Sequence, residues 1–272
     1  MPVLVTAAHH PLARRIAARL LEEGGEVRVH TSGDAASLRA AGAFVATGTS
    51  DDEGMLEAAL EQVHTVVHVG GGIGSHDTAR IVADAEVLAR AATGARVRRL
   101  IVLSPAGASP SAADPIRRAK GEAERVLAEI PCPTVVLRLG LVDTPALRDA
   151  LLTTGLGPDL LDVEVAPIAV HDVVELVAAF DRARSSSQEG HLVVTADGPR
   201  WMSVAGYLDR VTPGGLSGAS RLGRRVPDPA TVQRLNGLLR GPWRTQEAGL
   251  VDGWAFAGFE PVGLSAPRSA GR

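Results

Sequence analysis

Short apolar runs, typical of buried strands, alternate with segments in which apolar residues recur at the spacing of an amphipathic helix. The predicted strands cover residues 3–6, 26–30, 44–46, 65–69, 99–103 and 134–137. The predicted helices between them cover residues 11–23, 51–61, 78–92 and 114–130, with Asp51 and Asp114 as N-caps. Continuous apolar strands alternating with helices predict a parallel sheet that is covered on both faces.

The alternation becomes irregular after residue 140. Helices are predicted at residues 145–152, 171–184, 203–211 and 229–239, and a strand at residues 191–194. We expect residues 1–195 to form the main domain, with cap insertions from about 142–168. Residues 196–264 are expected to form a small C-terminal cap over the sheet edge, and residues 265–272 a disordered tail.

Composition narrows the class of protein. Hydrophobic residues make up 45% of the chain and aromatic residues only 3%, so the core must consist of Ala, Val, Leu and Ile. A net charge of -3 gives no electrostatic reason to expect nucleic acid. The single cysteine, Cys132, excludes an internal disulfide and a multi-cysteine metal site, and we predict no metal. Without a signal peptide or an apolar run of ~18 residues, a soluble cytoplasmic protein with no membrane partner is expected.

The first thirty residues have the strand–helix–strand order with which dinucleotide-binding domains begin. In such domains a glycine-rich turn follows the first strand, and ligands bind where the carboxyl ends of the strands meet. Here the turn reads A-A-H-H-P-L-A over residues 7–13. The order of elements therefore predicts the scaffold, whereas the turn lacks the usual glycines.

Short phrases along most of the chain match a known family in their order. They are V-L-V-T at residues 3–6, V-V-H-V-G at 66–70, L-S at 103–104, A-K-G-E-A-E at 119–124, I-A-V-H-D-V at 168–173 and G-F-E-P at 258–261. Together they resemble extended or atypical short-chain dehydrogenases/reductases, nearest to the NAD-dependent epimerase/dehydratase and NmrA-like branches. The resemblance implies an α/β fold, a Rossmann-like doubly wound parallel sheet with a small irregular C-terminal cap. It also implies a homodimer through the helices at residues 78–92 and 114–130.

The turn departs from the family pattern at three positions. The family's glycines correspond to Ala7, His10 and Ala13. The first glycine permits the tight turn, and the second lets the backbone approach the pyrophosphate, where the imidazole of His10 would now project. Either the turn repacks around His10 and binds nothing, or His9 and His10 donate hydrogen bonds to a different ligand at the helix N-terminus.

The adenosine side of the expected cleft is altered as well. The second strand ends at His30 and Thr31 without an acidic residue for the ribose hydroxyls, and Thr49 replaces the family's Asp after the third strand. Gly70 and Gly71, after the fourth strand, border the same cleft. We therefore predict no cofactor, or NADP(H) if there is one.

The catalytic motif is incomplete. The family places Tyr-x-x-x-Lys on one helical face, and here Ile116 replaces the Tyr while Lys120 is present. Ser104 matches the family's active-site Ser. The loop residue His76 is an alternative acid or base by its position, unless it is a solvated loop histidine. Asp143 either reaches the cleft or caps the helix that begins at residue 145.

Three functional classes remain open from the sequence. The first, which we favour, is a cofactor-free enzyme that carries out isomerisation, cyclisation or elimination on a small molecule in the old cleft. The second is an NADP(H)-dependent oxidoreductase or epimerase with a remodelled loop. The third is a non-catalytic binding or regulatory protein of the NmrA-like kind.

Overall fold

The computed structural model describes residues 1–70, 77–154, 156–183, 190–212, 235, 239 and 250–264. The strands are β1 (Val3–Val5), β2 (Val27–Thr31), β3 (Phe44–Thr47), β4 (Thr65–His68), β5 (Arg99–Pro105), β6 (Thr134–Leu139), β7 (Val142–Asp143), β8 (Glu164–Val165), β9 (Ile168–Ala169), β10 (His191–Ala196), β11 (Met202–Ser203) and β12 (Val251–Asp252). The helices are α1 (Pro11–Glu22), α2 (Ala36–Ala40), α3 (Glu53–Leu60), α4 (Thr78–Gly94), α5 (Pro115–Ala128), α6 (Pro145–Thr153), α7 (Pro158–Leu161), α8 (Val170–Arg182), α9 (Val204–Val211) and α10 (Gly253–Ala257).

Eight strands form one sheet in the order β12-β10-β6-β5-β4-β1-β2-β3. All neighbouring strands in it are parallel. The order reverses at β1, between β4 and β2, which is the point where open α/β sheets bind ligands. This confirms the predicted doubly wound, Rossmann-like fold.

The sheet is apolar on both faces because alternate residues of each strand enter different cores. Val3 and Val5 of β1 join a cluster with α1 and α8, whereas Leu4 joins a second cluster with α3, α4 and α5. The helices of the first half therefore sandwich the sheet. Among the described helices, none combines the length and the apolarity needed to cross a membrane.

Side-chain oxygens cap several helices, and three of these caps can be compared with the predictions from the sequence. Asp114 caps α5 as predicted, with its Oδ1 accepting from the Arg117 N–H at 2.8 Å. The prediction that Asp51 caps α3 is wrong, because the Oδ1 of Asp52 accepts from the Met55 N–H at 3.0 Å. α6 is capped by Thr144, so the interpretation of Asp143 as its cap is also wrong.

The region after β6 has a core of its own. Residues from α6, α7, β8 and α9 pack there with Leu235 and Leu239 around Tyr207, whose side chain is fully buried. Residues 251–264, which the sequence assigns to the cap, return to the main sheet: β12 pairs with β10, and Phe256 of α10 stacks on Phe180 of α8 with centroids 4.6 Å apart. The predicted helix at 229–239, apart from residues 235 and 239, and the predicted tail lie outside the described residues.

Candidate functional site

The turn after β1 keeps the backbone conformation that glycine would provide. Ala7 has a φ of 54°, in the left-handed region that residues with a Cβ seldom adopt. The His10 N–H closes the turn on the Ala7 carbonyl at 2.8 Å, and the Ala8 N–H donates to the His30 carbonyl of β2 at 3.1 Å. The loss of the first glycine therefore leaves the turn tight, at a strain of about 1 kcal/mol.

The imidazole of His10 caps helix α1. Its Nδ1 accepts a hydrogen bond from the Leu12 N–H at 3.3 Å, and His10 itself has extended N-cap geometry. Because Pro11 has no N–H, the Leu12 group is the first backbone donor of this helix. Burial lowers the pKa of His10, and the neighbouring His9 and Lys120 lower it further, so the ring is a neutral acceptor. It therefore lies at the helix end that binds pyrophosphate in dinucleotide-binding domains.

The end of β2 presents a buried histidine where an acidic residue would bind ribose. His30 is 4% exposed, and its Nε2 is buried without a hydrogen-bond partner among the described residues. Burial is the main cause that lowers the pKa of His30, so the ring is neutral. A Cβ on Gly48 would lie 3.3 Å from that Nε2. Thr31 is occupied locally, since its Oγ1 accepts from the Gly33 N–H at 3.0 Å.

Arg14, which the sequence analysis missed, connects the turn with the β2–α2 loop. Its Nε donates to the Ala8 carbonyl at 3.0 Å, and its Nη2 donates to the carbonyl of Asp34. The guanidinium group therefore lies beside the adenosine end of the expected cleft. Arg14 could have been identified from the sequence, because it lies four residues after His10 and residues at this spacing are neighbours on one helix face.

Ser104 and Lys120, which match the family's active-site positions in the sequence, lie close together. With His68 and Gly70 they line a cavity of about 10 Å³ between β4, β5, α4 and α5, which is room for about one water. Ser104 is 5% exposed, and its Oγ has no hydrogen-bond partner in the part of the chain that the structure describes. A buried hydroxyl without a partner is costly unless a water or a ligand completes it.

The pKa of the buried Lys120 amine is lower than that of an ordinary lysine. Its Nζ donates to the Gly70 carbonyl, and burial lowers the pKa to about 8, against the attraction of Glu124 and Asp84. Glu124 is itself held by Arg138 through an Nη2–Oε2 contact of 2.8 Å. The amine is therefore poised to exchange a proton in the neutral range.

His68 is a buried residue of β4. Its Nδ1 lies 3.0 Å from the Oγ1 of Thr6, which also accepts from the Val69 N–H at 3.2 Å. Burial and the nearby Lys120 lower the pKa of His68 to about 3, so the ring is neutral. A Cβ on Gly70 would lie 2.3 Å from the His68 Nε2, so a larger residue there would require the His68 ring to move.

The remaining predicted residues do not join this cavity. Asp143 accepts from the Tyr207 hydroxyl at 2.6 Å and from the Arg148 Nε at 2.5 Å. Burial and Asp143 raise the pKa of Tyr207, so this tyrosine is no substitute for the missing phenol. Ile116 packs beside the second core cluster. His76 and Gly71 lie outside the described residues.

Residues 8–180 match a protein-family model described as NAD(P)H-binding. No curated protein is significantly similar to the chain. Among the described residues, no group of three or more His, Cys, Asp or Glu side chains is arranged to hold a metal ion.

Solved structures share the fold at low sequence identity. Citrobacter sp. triphenylmethane reductase, complexed with NADP(H), is 15% identical with a TM-score of 0.74, over 96% of this chain and 97% of that one. NADPH-dependent quinone oxidoreductase from Escherichia coli is 16% identical with a TM-score of 0.69, over 95% of both chains. UDP-glucose 4-epimerase from Thermotoga maritima is 19% identical with a TM-score of 0.68, over 96% of this chain and 94% of that one.

Proposed function

This chain belongs to the NAD(P)H-binding family, and we propose that within it the protein performs proton transfer on a small molecule instead of hydride transfer. The observation that carries the proposal is the cap on α1: the imidazole of His10 satisfies the Leu12 N–H, the donor that a pyrophosphate would use. The absence of a tyrosine at residue 116 removes the usual acid of the reductase relay in the same protein.

Lys120 is the group suited to act as the base. It is the only lysine of the chain, so every other residue of the Lys/Arg class is an arginine, whose guanidinium does not deprotonate in proteins. With a pKa of about 8, a useful fraction of Lys120 is neutral near physiological pH. A lowered lysine pKa of this size is typical of a general base.

We infer the reaction class from the two side chains at the cavity, which must widen beyond its room for about one water to admit a substrate. The lone pair of the neutral Lys120 amine takes a proton from a carbon next to a carbonyl, and the electron pair of the broken C–H bond moves into an enolate. The Ser104 hydroxyl, which lacks a protein partner among the described residues, donates a hydrogen bond to the enolate oxygen. Return of the proton to another carbon gives isomerisation, and loss of a leaving group gives elimination.

A second candidate, an NADP(H)-dependent oxidoreductase or epimerase, is favoured by two observations. Ala7 keeps the left-handed backbone of the nucleotide-binding turn. Arg14 lies beside the end of β2, where an arginine can accommodate the 2′-phosphate of NADP(H). In this alternative His10 would have to leave the helix end when the cofactor binds.

Calorimetric titration of NADPH and NADH separates the two candidates. We expect no binding to the wild type and recovered binding in His10→Gly, because glycine removes the ring from the pyrophosphate position. His10→Asn is the matched control, since asparagine retains a side chain and a good helix cap. Micromolar binding to the wild type overturns the cofactor-free proposal. Turnover of a carbonyl substrate would then support the oxidoreductase, and binding without turnover a regulatory protein.

The acidity of Lys120 tests the proposed base directly. Because the chain has one lysine, selective carbon-13 labelling of lysine gives a single side-chain amine site to follow by NMR. We expect its titration midpoint at about 8. Glu124→Gln should lower the midpoint further, because the carboxylate favours the charged amine. A midpoint near the ordinary value of 10.5 would exclude Lys120 as a base at neutral pH.

A further inference from the structure

The cavity of Ser104 and Lys120 has a further polar group in its wall, the imidazole of His68. This residue is 8% exposed and ends β4, which is the neighbour of β5 in the sheet. The reaction described above gives the ring no task. What the ring can offer a ligand depends on which of its two nitrogens carries the proton.

The hydroxyl of Thr6 determines this tautomer. Its Oγ1 lies 3.0 Å from the His68 Nδ1 and accepts from the Val69 N–H at 3.2 Å. Among the described residues, Nδ1 is therefore the one available acceptor for the hydroxyl proton. A proton on Nδ1 would leave this buried hydroxyl without an acceptor, which is costly. The hydrogen-bond network thus assigns the proton of the neutral ring to Nε2.

The Nε2–H is a free donor at the cavity. It has no hydrogen-bond partner in the part of the chain that the structure describes. A Cβ on Gly70 would meet this nitrogen, and the Gly70 carbonyl accepts from the Lys120 Nζ, so Nε2 lies on the side of the ring that faces Lys120. The Ser104 hydroxyl also lacks a partner among the described residues. Two donors without partners therefore border one cavity.

We infer that the His68 Nε2–H and the Ser104 hydroxyl together bind the substrate oxygen on which negative charge develops. The inference rests on the proposed function, in which that oxygen belongs to an enolate. Two fixed donors stabilise such an oxygen more than one, and a neutral imidazole can donate without giving up its proton. After proton abstraction Lys120 is an ammonium, and its charge adds to the attraction. His68 is thus a further catalytic residue.

Nitrogen-15 NMR of the full-length, histidine-labelled protein measures the tautomer. The protonated and unprotonated nitrogens of a neutral imidazole have separate chemical shifts, and the spectrum of His68→Gln identifies the His68 signals. We expect the proton on Nε2 near neutral pH. Thr6→Val, which removes the hydroxyl at similar volume, should populate the other tautomer, whereas Thr6→Ser should not. A proton on Nδ1 in the wild type would overturn the inference.

Formate and its uncharged counterpart formamide form a matched pair of probes for the two donors. The signal of carbon-13-labelled Lys120 follows binding, because it is the only lysine. We expect saturable binding of formate, a shift of the His68 Nε2 signal, and weaker binding of formamide. His68→Leu should weaken formate binding by about tenfold or more, as for the loss of one hydrogen bond to a charged group. His68→Gln, whose amide can donate, should retain most of the affinity.

His171→Leu is the control, because this exposed histidine of α8 should not affect formate binding. Absence of saturable formate binding, or equal affinity in the wild type and a folded His68→Leu, would overturn the inference. The two wild-type measurements, tautomer and formate binding, decide it even if His68→Leu does not fold. None of these readouts depends on the titration midpoint of Lys120. A midpoint near 10.5 would therefore reject the proposed base alone, and a proton on Nδ1 of His68 would reject the second donor alone.

Discussion

The turn after β1 and the cavity between β5 and α5 depart from the family pattern in opposite ways. At the turn the backbone keeps its shape, with Ala7 in the left-handed region, while an added side chain, His10, caps the end of α1. At the cavity a side chain has been removed, with Ile116 in place of a tyrosine, while Lys120 and Ser104 keep their places.

The two regions therefore differ in what they keep of the family pattern. The turn keeps a backbone conformation, and the cavity keeps two side chains. At the turn the backbone conformation of a nucleotide-binding loop is kept, and the imidazole of His10 accepts the first N–H of the helix. At the cavity the Lys120 amine is kept without a tyrosine at residue 116, and burial lowers its pKa. Substitutions at either end of the cleft test this difference.

The largest effect is expected at Lys120. Between pH 8 and 10.5 the unfolded chain holds a proton on this amine that the folded protein has lost, so the free energy of unfolding increases with pH over this range. Relative to Lys120→Met, the wild type should gain about 3 kcal/mol across the window. Denaturant unfolding of both proteins at the two pH values measures the difference, and a pH-independent difference would refute the lowered pKa.

The next effect concerns the close approach of α5 to the loop after β5. A Cβ on Gly121 would lie 2.2 Å from the backbone carbon of Ser109, so Gly121→Ala must push the loop from the helix that carries Lys120. We expect a loss of about 2 kcal/mol in the free energy of unfolding. Gly54→Ala in α3 is the control, since only the Asp52 Oδ1 lies near that Cβ, at 3.9 Å. Equal stability of Gly121→Ala and the wild type would mean that the loop yields freely.

At the turn, relief of backbone strain should be measurable. Ala7→Gly should raise the free energy of unfolding by about 0.5 to 1 kcal/mol, because the left-handed conformation is less costly for glycine than for alanine. This value already includes the opposing effect that glycine has more conformational freedom in the unfolded chain. Ala79→Gly, in the first turn of α4, is expected to have the opposite sign. Destabilisation by Ala7→Gly would contradict the strained turn.

The smallest effect is expected for the helix cap. His10→Ala should cost about 0.5 kcal/mol, because the Nδ1 contact with the Leu12 N–H is long at 3.3 Å. Only the neutral ring accepts this bond, so the cost should vanish as the pH falls below the lowered pKa of His10. His9→Ala, an exposed neighbour, is the control. A cost that persists at low pH would assign His10 a role other than capping.

Local patterns were sufficient to predict the main sheet. Successive residues of β1 face opposite sides of the sheet, so Val3 and Val5 enter one core and Leu4 enters the other. Because both faces are buried, the strand must be apolar at every position, and such a run is recognisable in the sequence. Ser104 and Lys120 were identified from the family resemblance, Ser104 by its place after the fifth strand and Lys120 by the Tyr-x-x-x-Lys spacing. The Asp114 cap followed from a residue type and its distance from a proline.

Partners distant in the sequence could not be predicted in the same way. Tyr207 and Asp143 meet across 64 positions, and no local periodicity indicates such a pair. The cap formed by His10 was missed because histidine is not a usual N-cap residue. Asp51 and Asp52 are adjacent and chemically identical, so only the backbone geometry decides which of them begins α3.

The pairing of β12 with β10 also sets an order of events during synthesis. Residues 197–250 leave the ribosome between the two strands, so β10 is complete while its outer edge still lacks a partner. An open edge of this kind invites pairing with other nascent chains. The segment that carries β12 and Phe256 therefore covers the edge of β10 only late in synthesis. A translational pause before residue 251 would lengthen the time during which this edge can pair with other chains.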